Sequence, residues 1–212
     1  MVLEIMGYIL GGTFITIAVT LVALPMGLIL GMLMALVRVY GGKFFSGFAA
    51  VYSTVMRAVP PIVLLFILYF ILAGSINISP FWAGSIALGI ISSSYQLEIL
   101  RGAIQCVGSG QMMAARALGM SRITAIRHII IPQALRHAIP PWSNEASIVL
   151  KDSSLVYAIG VPEILRRAQF VSARTYQPFL AFTAAALIYF LLTFLSNRVL
   201  DKVEEKTRIP GF

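Results

Sequence analysis

The first apolar run of this chain reads IMGYILGGTFITIAVTLVALPMGLILGMLMALV, covers residues 5–37 and contains no charged residue. The apolar core of a lipid bilayer is about 30 Å thick, and an α-helix needs roughly 20 residues to cross it. The run is therefore long enough for one membrane span, at residues 7–37, that tilts or bends. Pro25, with Gly27 and Gly31 after it, offers a place for the bend.

The composition of the whole chain agrees with a membrane protein. Apolar residues make up 59% of the 212 residues and charged residues 11%, whereas a soluble domain is roughly 45–50% apolar and about 25% charged. The net charge of +8 does not indicate nucleic-acid binding, because the basic residues lie in short segments between apolar runs, where lipid head groups and partner proteins are the expected contacts. The first residues carry Glu4 and no basic cluster, so the first run is expected to be a retained span. One cysteine, Cys106, leaves no internal disulfide.

Four more spans follow from the spacing of the charges. The chain is uncharged between Arg57 and Glu98, which is too long for one span, and GSINISP at residues 74–80 is the natural turn. This predicts spans at about 58–73 and 81–99. A polar segment rich in arginine follows, and further spans are predicted at about 139–159 and 176–197. We therefore expect an all-α membrane protein with about five transmembrane helices, forming a single domain over residues 1–212.

The basic residues also predict the orientation. If the N-terminus lies outside, twelve basic residues fall on the inner side and only Arg166, Arg167 and Arg174 on the outer side. Lysine and arginine concentrate in cytoplasmic loops, so we expect the N-terminus outside and the C-terminus in the cytoplasm. The inner set consists of Arg38, Lys43, Arg57, Arg101, Arg116, Arg122, Arg127, Arg136, Arg198, Lys202, Lys206 and Arg208.

The polar segment contains GQMMAARALGMS at residues 110–121 and IIIPQA at residues 129–134. The alanines favour a helix that ends near Gly119, isoleucines then recur at helical spacing, and Pro132 is expected to close the stretch. Small side chains such as Ala114 allow a partner to approach closely, and glycine permits a sharp turn. We predict two short amphipathic helices here; taken alone, the composition also fits an ordinary surface helix between spans.

At its full spacing the segment resembles the cytoplasmic signature loop of binding-protein-dependent ABC permeases, which reads Glu-Ala-Ala, three residues, Gly, nine residues, Ile, one residue, Leu, Pro. The matching residues are Ala114, Ala115, Gly119, Ile129 and Pro132. Ile131 stands for the leucine, and Met113 replaces the glutamate. The resemblance implies a type I ABC importer fold with a cytoplasmic coupling loop between the third and fourth helices, at about 105–133, that docks in a cleft of an ATPase subunit. Its implied coupling residues are Gln111, Met113, Ala114, Ala115, Arg116, Leu118, Gly119, Met120, Ser121 and Pro132.

Shorter stretches are similar to polar amino-acid permeases of the histidine, arginine and glutamine type. RAVP at residues 57–60 is similar to their Arg-Gly-Thr-Pro, although Ala58 and Val59 replace the glycine and threonine. Segments around residues 92–101, 144–155 and 175–179 resemble parts of their third, fourth and fifth spans. The resemblance implies a substrate path or gate lined by Val59, Pro60, Ser92, Ser93, Glu98, Asn144, Glu145, Lys151, Asp152 and Ser153.

Lys151 and Asp152 stand in an otherwise apolar span, where a charge at the bilayer centre costs roughly 2.5–3.5 kcal/mol. Adjacent residues on a helix point about 100° apart, so each needs its own partner. Either they bind the two charged groups of an amino acid or they form structural ion pairs that close a gate. Glu145 lies seven residues before Asp152 on the same helix face, which fits a cationic substrate or a packing contact.

No pattern in this chain indicates catalysis. His128 and His137 have no ligand partners at metal-binding spacing, and the serines at residues 92–94 have no nucleophile elbow. The Gly-x-x-x-x-Gly-Lys-Ser/Thr loop of nucleotide-binding proteins does not occur.

The sequence thus predicts a non-catalytic permease subunit of an ATP-driven importer for a polar amino acid, in a prokaryotic plasma (inner) membrane. The resemblance implies two ATP-binding subunits that hold ATP–Mg, a second permease copy or paralogue, an external solute-binding protein and surrounding lipid, with no cofactor in this chain. One alternative is a permease for another small solute, an opine or an osmolyte. The other is a membrane-embedded enzyme or assembly factor, which would need more titratable residues in the membrane than Glu145, Lys151 and Asp152.

Overall fold

The computed structural model describes residues 2–207, without the side chains of residues 2, 3 and 76, and this part of the chain is almost entirely helical, with no strand. The helices are α1 (Val2–Leu10), α2 (Thr13–Tyr40), α3 (Lys43–Ala58), α4 (Pro61–Ile76), α5 (Pro80–Cys106), α6 (Ser109–Ala117), α7 (Arg122–Ala125), a π-helical turn (Ile126–Ile130), α8 (Ile131–Asp152), a 3₁₀-helix (Ser153–Ile159), α9 (Ile164–Thr175) and α10 (Pro178–Thr207).

Helix α5 lies at the centre of the bundle, with α2, α3, α4 and α8 packed around it. Most of its buried residues are alanine, glycine or serine, which lets neighbouring helices approach closely. On α2, a Cβ atom at Gly27 would lie 2.5 Å from Nε2 of Gln96, and one at Gly31 would lie 3.0 Å from the backbone nitrogen of Leu97. These two glycines serve helix packing, a role that differs from the bend expected from the sequence.

The first apolar run is divided at Gly11 and Gly12, while Pro25 lies inside α2. A Cβ atom at Gly12 would be 2.6 Å from the backbone carbonyl carbon of Glu163, the residue that caps α9. The interruption at Gly12 was not expected from the sequence, because the constraint comes from a helix that is far away in the chain; the bend expected at Pro25 stays a prediction.

Two helical runs are long and apolar enough to cross a membrane, Glu4–Tyr40 and Pro178–Thr207. Helices α3 and α4 pass the same test only as a pair, and the chain bends by 112° between them. Within residues 2–207, α5 and α8, which carry the predicted third and fourth spans, do not pass it. Their serines and charged residues lower their hydropathy, and several of these polar side chains are buried inside the bundle.

The corner between α3 and α4 is formed by Val59 and Pro60, which are extended. The sequence predicted that the second span begins here, at about residue 58, and did not predict the separate helix that residues 43–58 form. Pro61 follows at the first position of α4, where the missing proline N–H has no helical acceptor to lose.

Pro132 does not close the helical stretch that precedes it, contrary to the sequence prediction. The chain stays helical from Arg122 to Asp152, and the turn before the proline is π-helical, with the N–H of Ile131 donating to the carbonyl of Ile126. A wider turn relieves the clash between a proline ring and the preceding turn of the helix. The helix of the predicted fourth span therefore begins earlier than expected and is continuous with α7.

Candidate functional site

A buried chain of hydrogen bonds joins α2, α5 and α8. The Ser92 hydroxyl donates to Oε1 of Glu145 at 2.6 Å, and Nε2 of Gln96 donates to the Ser92 oxygen at 3.0 Å. Nε2 of Gln96 also donates to the carbonyl of Leu24, and the indole N–H of Trp142 donates to Oε1 of Gln96 at 2.9 Å. Because Gln96 donates to Ser92, the hydroxyl proton of Ser92 is directed towards Glu145.

Glu145 also borders a cavity of about 200 Å³ between α5 and α8. Asp152 lies on the same wall, two helical turns further along α8, and both acids therefore face one space, as their spacing predicted. Among residues 2–207, no lysine, arginine or histidine lines this cavity, and Glu145 and Asp152 are its two carboxyl groups. The lining residues are Leu88, Ile91, Ser92, Tyr95, Glu145, Ile148, Val149 and Asp152.

Lys151 lies in a different groove, between α8 and α10, which has a volume of about 300 Å³. This groove is polar: Ser147 donates to Oδ1 of Asn197, and the buried hydroxyls of Ser143 and Thr193 have no hydrogen-bond partner within the described chain. Its lining residues are Pro140, Ser143, Asn144, Ser147, Lys151, Thr193, Asn197, Leu200, Asp201 and Glu204. Lys151 and Asp152 thus point into separate spaces, so one bound molecule does not span both in this conformation.

The three consecutive serines of α5 have three different environments. Ser92 borders the acidic cavity, whereas the Ser93 hydroxyl lies 2.6 Å from the Tyr52 hydroxyl of α3, and Ser94 donates to the carbonyl of Ile91. Successive helical residues point about 100° apart. Only Ser92 of the two serines predicted for the path is therefore placed at the cavity.

Glu98 lies outside the cavity, in an ionic cluster between α3 and α5. Ser53 donates to Oε1 of Glu98 at 2.8 Å, Nε of Arg101 is 2.8 Å from Oε2, and Arg57 approaches within 4.0 Å. Val59, at the nearby corner, packs against the apolar core, and Pro60 is exposed. In this conformation these three predicted path residues lie away from the acidic cavity, and their role in the path stays a prediction.

The two remaining predicted path residues are neighbours of the acids in sequence: Asn144 precedes Glu145, and Ser153 follows Asp152. Asn144 is exposed in the Lys151 groove. Ser153 is fully buried and donates to the carbonyl of Leu150 at 2.7 Å, which leaves it no free proton for a ligand.

The predicted coupling segment folds as a short helix, a turn and a second helix. Gly119 forms the turn with φ of 81°, a left-handed conformation that glycine adopts without strain, and Ser121 caps α7 by accepting from the N–H of Thr124. Arg116 donates to the carbonyl of Met120 across the turn. Among the predicted contact residues, Ala115 is buried, Met120 is half-buried, and the exposed ones are Gln111, Met113, Ala114, Arg116, Leu118, Gly119, Ser121 and Pro132.

Three large apolar side chains of this segment are exposed. Met113 is 65% exposed, Leu118 84% and Ile123 79%. Exposed apolar patches rimmed by polar residues mark contact surfaces for other proteins or for the membrane.

Sequence reasoning missed Gln96, Trp142 and Tyr95, although a glutamine within an apolar span is a visible sign of a buried polar contact. It also missed Glu163, which is fully buried and accepts from the backbone N–H groups of Leu165 and Arg166 and from the Tyr189 hydroxyl. Burial raises the pKa of the Glu163 carboxyl, against the opposing effect of these hydrogen bonds.

Two of the three basic residues assigned to the outer side have partners in the structure. Arg167 donates to the carbonyls of Tyr8 and Pro162, and Arg166 lies over the Phe170 ring. Within residues 2–207, no group of three His, Cys, Asp or Glu side chains is arranged to hold a metal ion.

Comparison with known proteins places this arrangement in a family. The family described as binding-protein-dependent transport system inner membrane component matches residues 27–209. The chain is 34% identical to the octopine transport system permease protein OccQ of Rhizobium radiobacter, covering 95% of this chain and 91% of the relative. It is also 34% identical to the glutamine transport system permease protein GlnP of Escherichia coli K12, covering 93% and 92% of the two chains.

Solved structures agree with the sequence comparison. A chain from a crystal structure of an amino acid ABC transporter with histidines superposes with a TM-score of 0.85 at 35% identity, over 96% of both chains. A chain of the inward-facing MetNI methionine ABC transporter gives 0.82 at 16% identity, over 97% of this chain and 99% of that one, and shows the shared fold. This chain therefore belongs to the family of inner membrane components of binding-protein-dependent transport systems.

Proposed function

We propose that the chain is the permease subunit of an ATP-binding-cassette importer for a polar amino acid. Family membership and relatives named for glutamine transport support this substrate class. The relatives named for octopine transport favour an opine as the second candidate. The importer would also contain two ATP-binding subunits holding ATP–Mg, a second permease copy or paralogue and an external solute-binding protein, and this chain would hold no cofactor.

The observation that carries the substrate class is the acidic cavity between α5 and α8. Glu145 is 4% exposed, and no cationic side chain of residues 2–207 lines the cavity with it and Asp152. An uncompensated charge inside a membrane protein is costly, so a positive group on the entering molecule is the natural partner. The ammonium group of an amino acid supplies one. The Ser92 hydroxyl holds Oε1 of Glu145 and leaves Oε2 for the ligand.

Lys151 has another role in this proposal. It lies in the α8–α10 groove with Asn144. The unpaired hydroxyls and the exposed charged groups of this groove need hydrogen-bond partners, which water or another protein can supply and lipid chains cannot. This side of α8 would face the second permease subunit and the passage between them. Asp152, rather than the Lys151–Asp152 pair, would then contact the substrate.

The exposed segment from α6 to α7 would dock on the ATPase subunit. Support comes from the exposed Met113, Leu118 and Ile123 and from the left-handed turn at Gly119. Helix α7 continues through the π-helical turn into α8, which carries Glu145 and Asp152. A displacement at the docking segment would therefore reach the acidic cavity through one helix.

The same proposal includes five spans, with the N-terminus outside and the C-terminus in the cytoplasm. After Cys106→Ser, a cysteine at Met120 should react with a membrane-impermeant thiol reagent only from the cytoplasmic side, and one at Ser79 only from outside. The opposite pattern of labelling would overturn the orientation and the docking role.

ATP hydrolysis by the assembled transporter tests the function. The chain is purified with its co-encoded subunits, and hydrolysis is measured with glutamine, histidine, arginine, lysine and octopine in turn. We expect one of them to stimulate hydrolysis and its Nα-acetylated form, which lacks the ammonium group, to be inactive. Octopine as the sole stimulant would select the second candidate. Equal stimulation by the acetylated compound would refute recognition of the ammonium group, and no stimulation by any compound would refute the substrate class.

A further inference from the structure

A second face of α8 borders an apolar groove that the proposed transport function does not use. This groove has a volume of about 200 Å³ and is formed by α2, α5 and α8. Its lining residues are Leu28, Leu100, Leu135, Arg136, Ala138, Ile139 and Trp142. Apart from Arg136 all of them are apolar or aromatic, and the indole N–H of Trp142 is already engaged by Gln96. The interior of the groove therefore suits a hydrocarbon chain.

With the topology proposed above, on which this inference rests, the groove would run from the cytoplasmic boundary of the membrane towards the bilayer interior. At one end, Leu100 and Leu135 each precede an arginine in the sequence, Arg101 and Arg136. Trp142 lies six residues beyond Arg136, about 9 Å further along the helix at 1.5 Å per residue. A cationic side chain at the boundary followed by an apolar groove matches the arrangement of an anionic phospholipid, in which a charged head group is joined to apolar acyl chains.

The guanidinium of Arg136 is available for such a head group. It is exposed and forms no ion pair or hydrogen bond with residues 2–207, whereas Arg101 beside the groove is held by Glu98 and Gln105. Basic pockets between membrane helices on the cytoplasmic side bind anionic lipid head groups.

We propose that this groove binds one acyl chain of an anionic phospholipid, whose phosphate contacts Arg136. The lipid bridges α2 and α8 across α5, on a side of α8 that differs from the acidic cavity. A second copy of the chain, which the proposed transporter would contain, is the competing occupant.

Quenching of Trp142 by brominated lipid tests the proposal directly. The chain has two tryptophans, Trp82 and Trp142, so Trp82→Phe leaves one reporter inside the groove. The purified chain is titrated with brominated phosphatidylglycerol or brominated phosphatidylcholine in detergent micelles. We expect phosphatidylglycerol to quench at about five-fold lower mole fraction, the effect of roughly one basic residue on anionic lipid binding.

Arg136→Gln should abolish that difference between the two lipids. Arg127→Gln, which removes an arginine outside the groove, should preserve it. Equal quenching by both lipids in the parent chain, or a preference that survives Arg136→Gln, would overturn the proposal. No quenching by either lipid would also overturn it and would leave the second copy as occupant. Transport activity does not enter this assay, so its outcome is separate from that of the proposed function.

Discussion

Replacing Gly27 with alanine should destabilise the chain through one side chain, Gln96. The added Cβ atom would lie 2.5 Å from Nε2 of Gln96 and 3.3 Å from the Gly89 carbonyl, so the Gln96 amide must move. That amide makes three hydrogen bonds, with Leu24, Ser92 and Trp142, and it is fully buried. Movement of this amide therefore weakens the packing of α5 against both α2 and α8.

The magnitude follows from the hydrogen bonds that break and from the crowding around the new methyl group. Three hydrogen bonds at roughly 0.6 kcal/mol each in a membrane protein amount to about 2 kcal/mol. Overpacking adds about 1–3 kcal/mol, and the better helix propensity of alanine returns roughly 0.5–1 kcal/mol. We expect Gly27→Ala to lower the free energy of unfolding by about 2–4 kcal/mol.

Gly102→Ala is the matched control. Gly102 is also helical, but a Cβ atom there would meet no atom within 4 Å, so this variant should be as stable as the parent or slightly more stable. Reversible unfolding by dodecyl sulfate in mixed micelles, followed by circular dichroism, measures both variants. If Gly27→Ala unfolds at the same dodecyl sulfate fraction as Gly102→Ala, the proposed role of the Gln96 network in holding the three helices is wrong.

Three further predictions concern the cavity, the turn and the buried acid. Glu145→Gln should weaken substrate binding to the permease by about thirty-fold or more, as measured by calorimetry without the binding protein. Asp201→Asn, which lies outside the acidic cavity, should leave the affinity unchanged. Equal losses of affinity in the two variants would refute the assignment of Glu145 to the substrate site. Gly119→Val should cost about 1–2 kcal/mol at the left-handed turn and lower the yield of co-purified ATPase subunit. Gly74→Val, in α4 outside the docking segment and with nothing within 4 Å of an added Cβ atom, should retain that yield. Unchanged co-purification with Gly119→Val would count against docking there. Because burial raises the pKa of Glu163 in the folded state, the folded chain binds this proton more tightly than the unfolded chain, so the free energy of unfolding should fall as pH rises above about 4.5. Glu163→Gln should flatten that pH dependence, and an unchanged slope would show that another group causes it.

The fold brings some of the predicted site residues together and places others in separate parts of the bundle. Glu145 and Asp152 share a cavity because a spacing of seven residues returns to the same face of any α-helix. Glu98 was selected for its likeness to a family segment, but its partners Ser53 and Arg57 come from α3, which the sequence did not identify as a separate helix.

The sequence by itself determined the membrane environment, the helical class and the transport family. A long apolar run without charges is stable in lipid as a helix, because a helix satisfies its own backbone hydrogen bonds. The family pattern from Ala114 to Pro132 lies within one short segment. Neither feature therefore depends on contacts between distant parts of the chain. The left-handed turn at Gly119 is local in the same sense.

Only the tertiary structure decided which neighbour each polar residue meets. Lys151 and Asp152 are adjacent in sequence, yet one lies between α8 and α10 and the other between α5 and α8. The break at Gly12 and the hydrogen bonds of Gln96 likewise depend on helices that are distant in the chain. Helical periodicity fixes the relative directions of side chains on one helix, but the helix that packs against each face follows from the arrangement of the whole bundle.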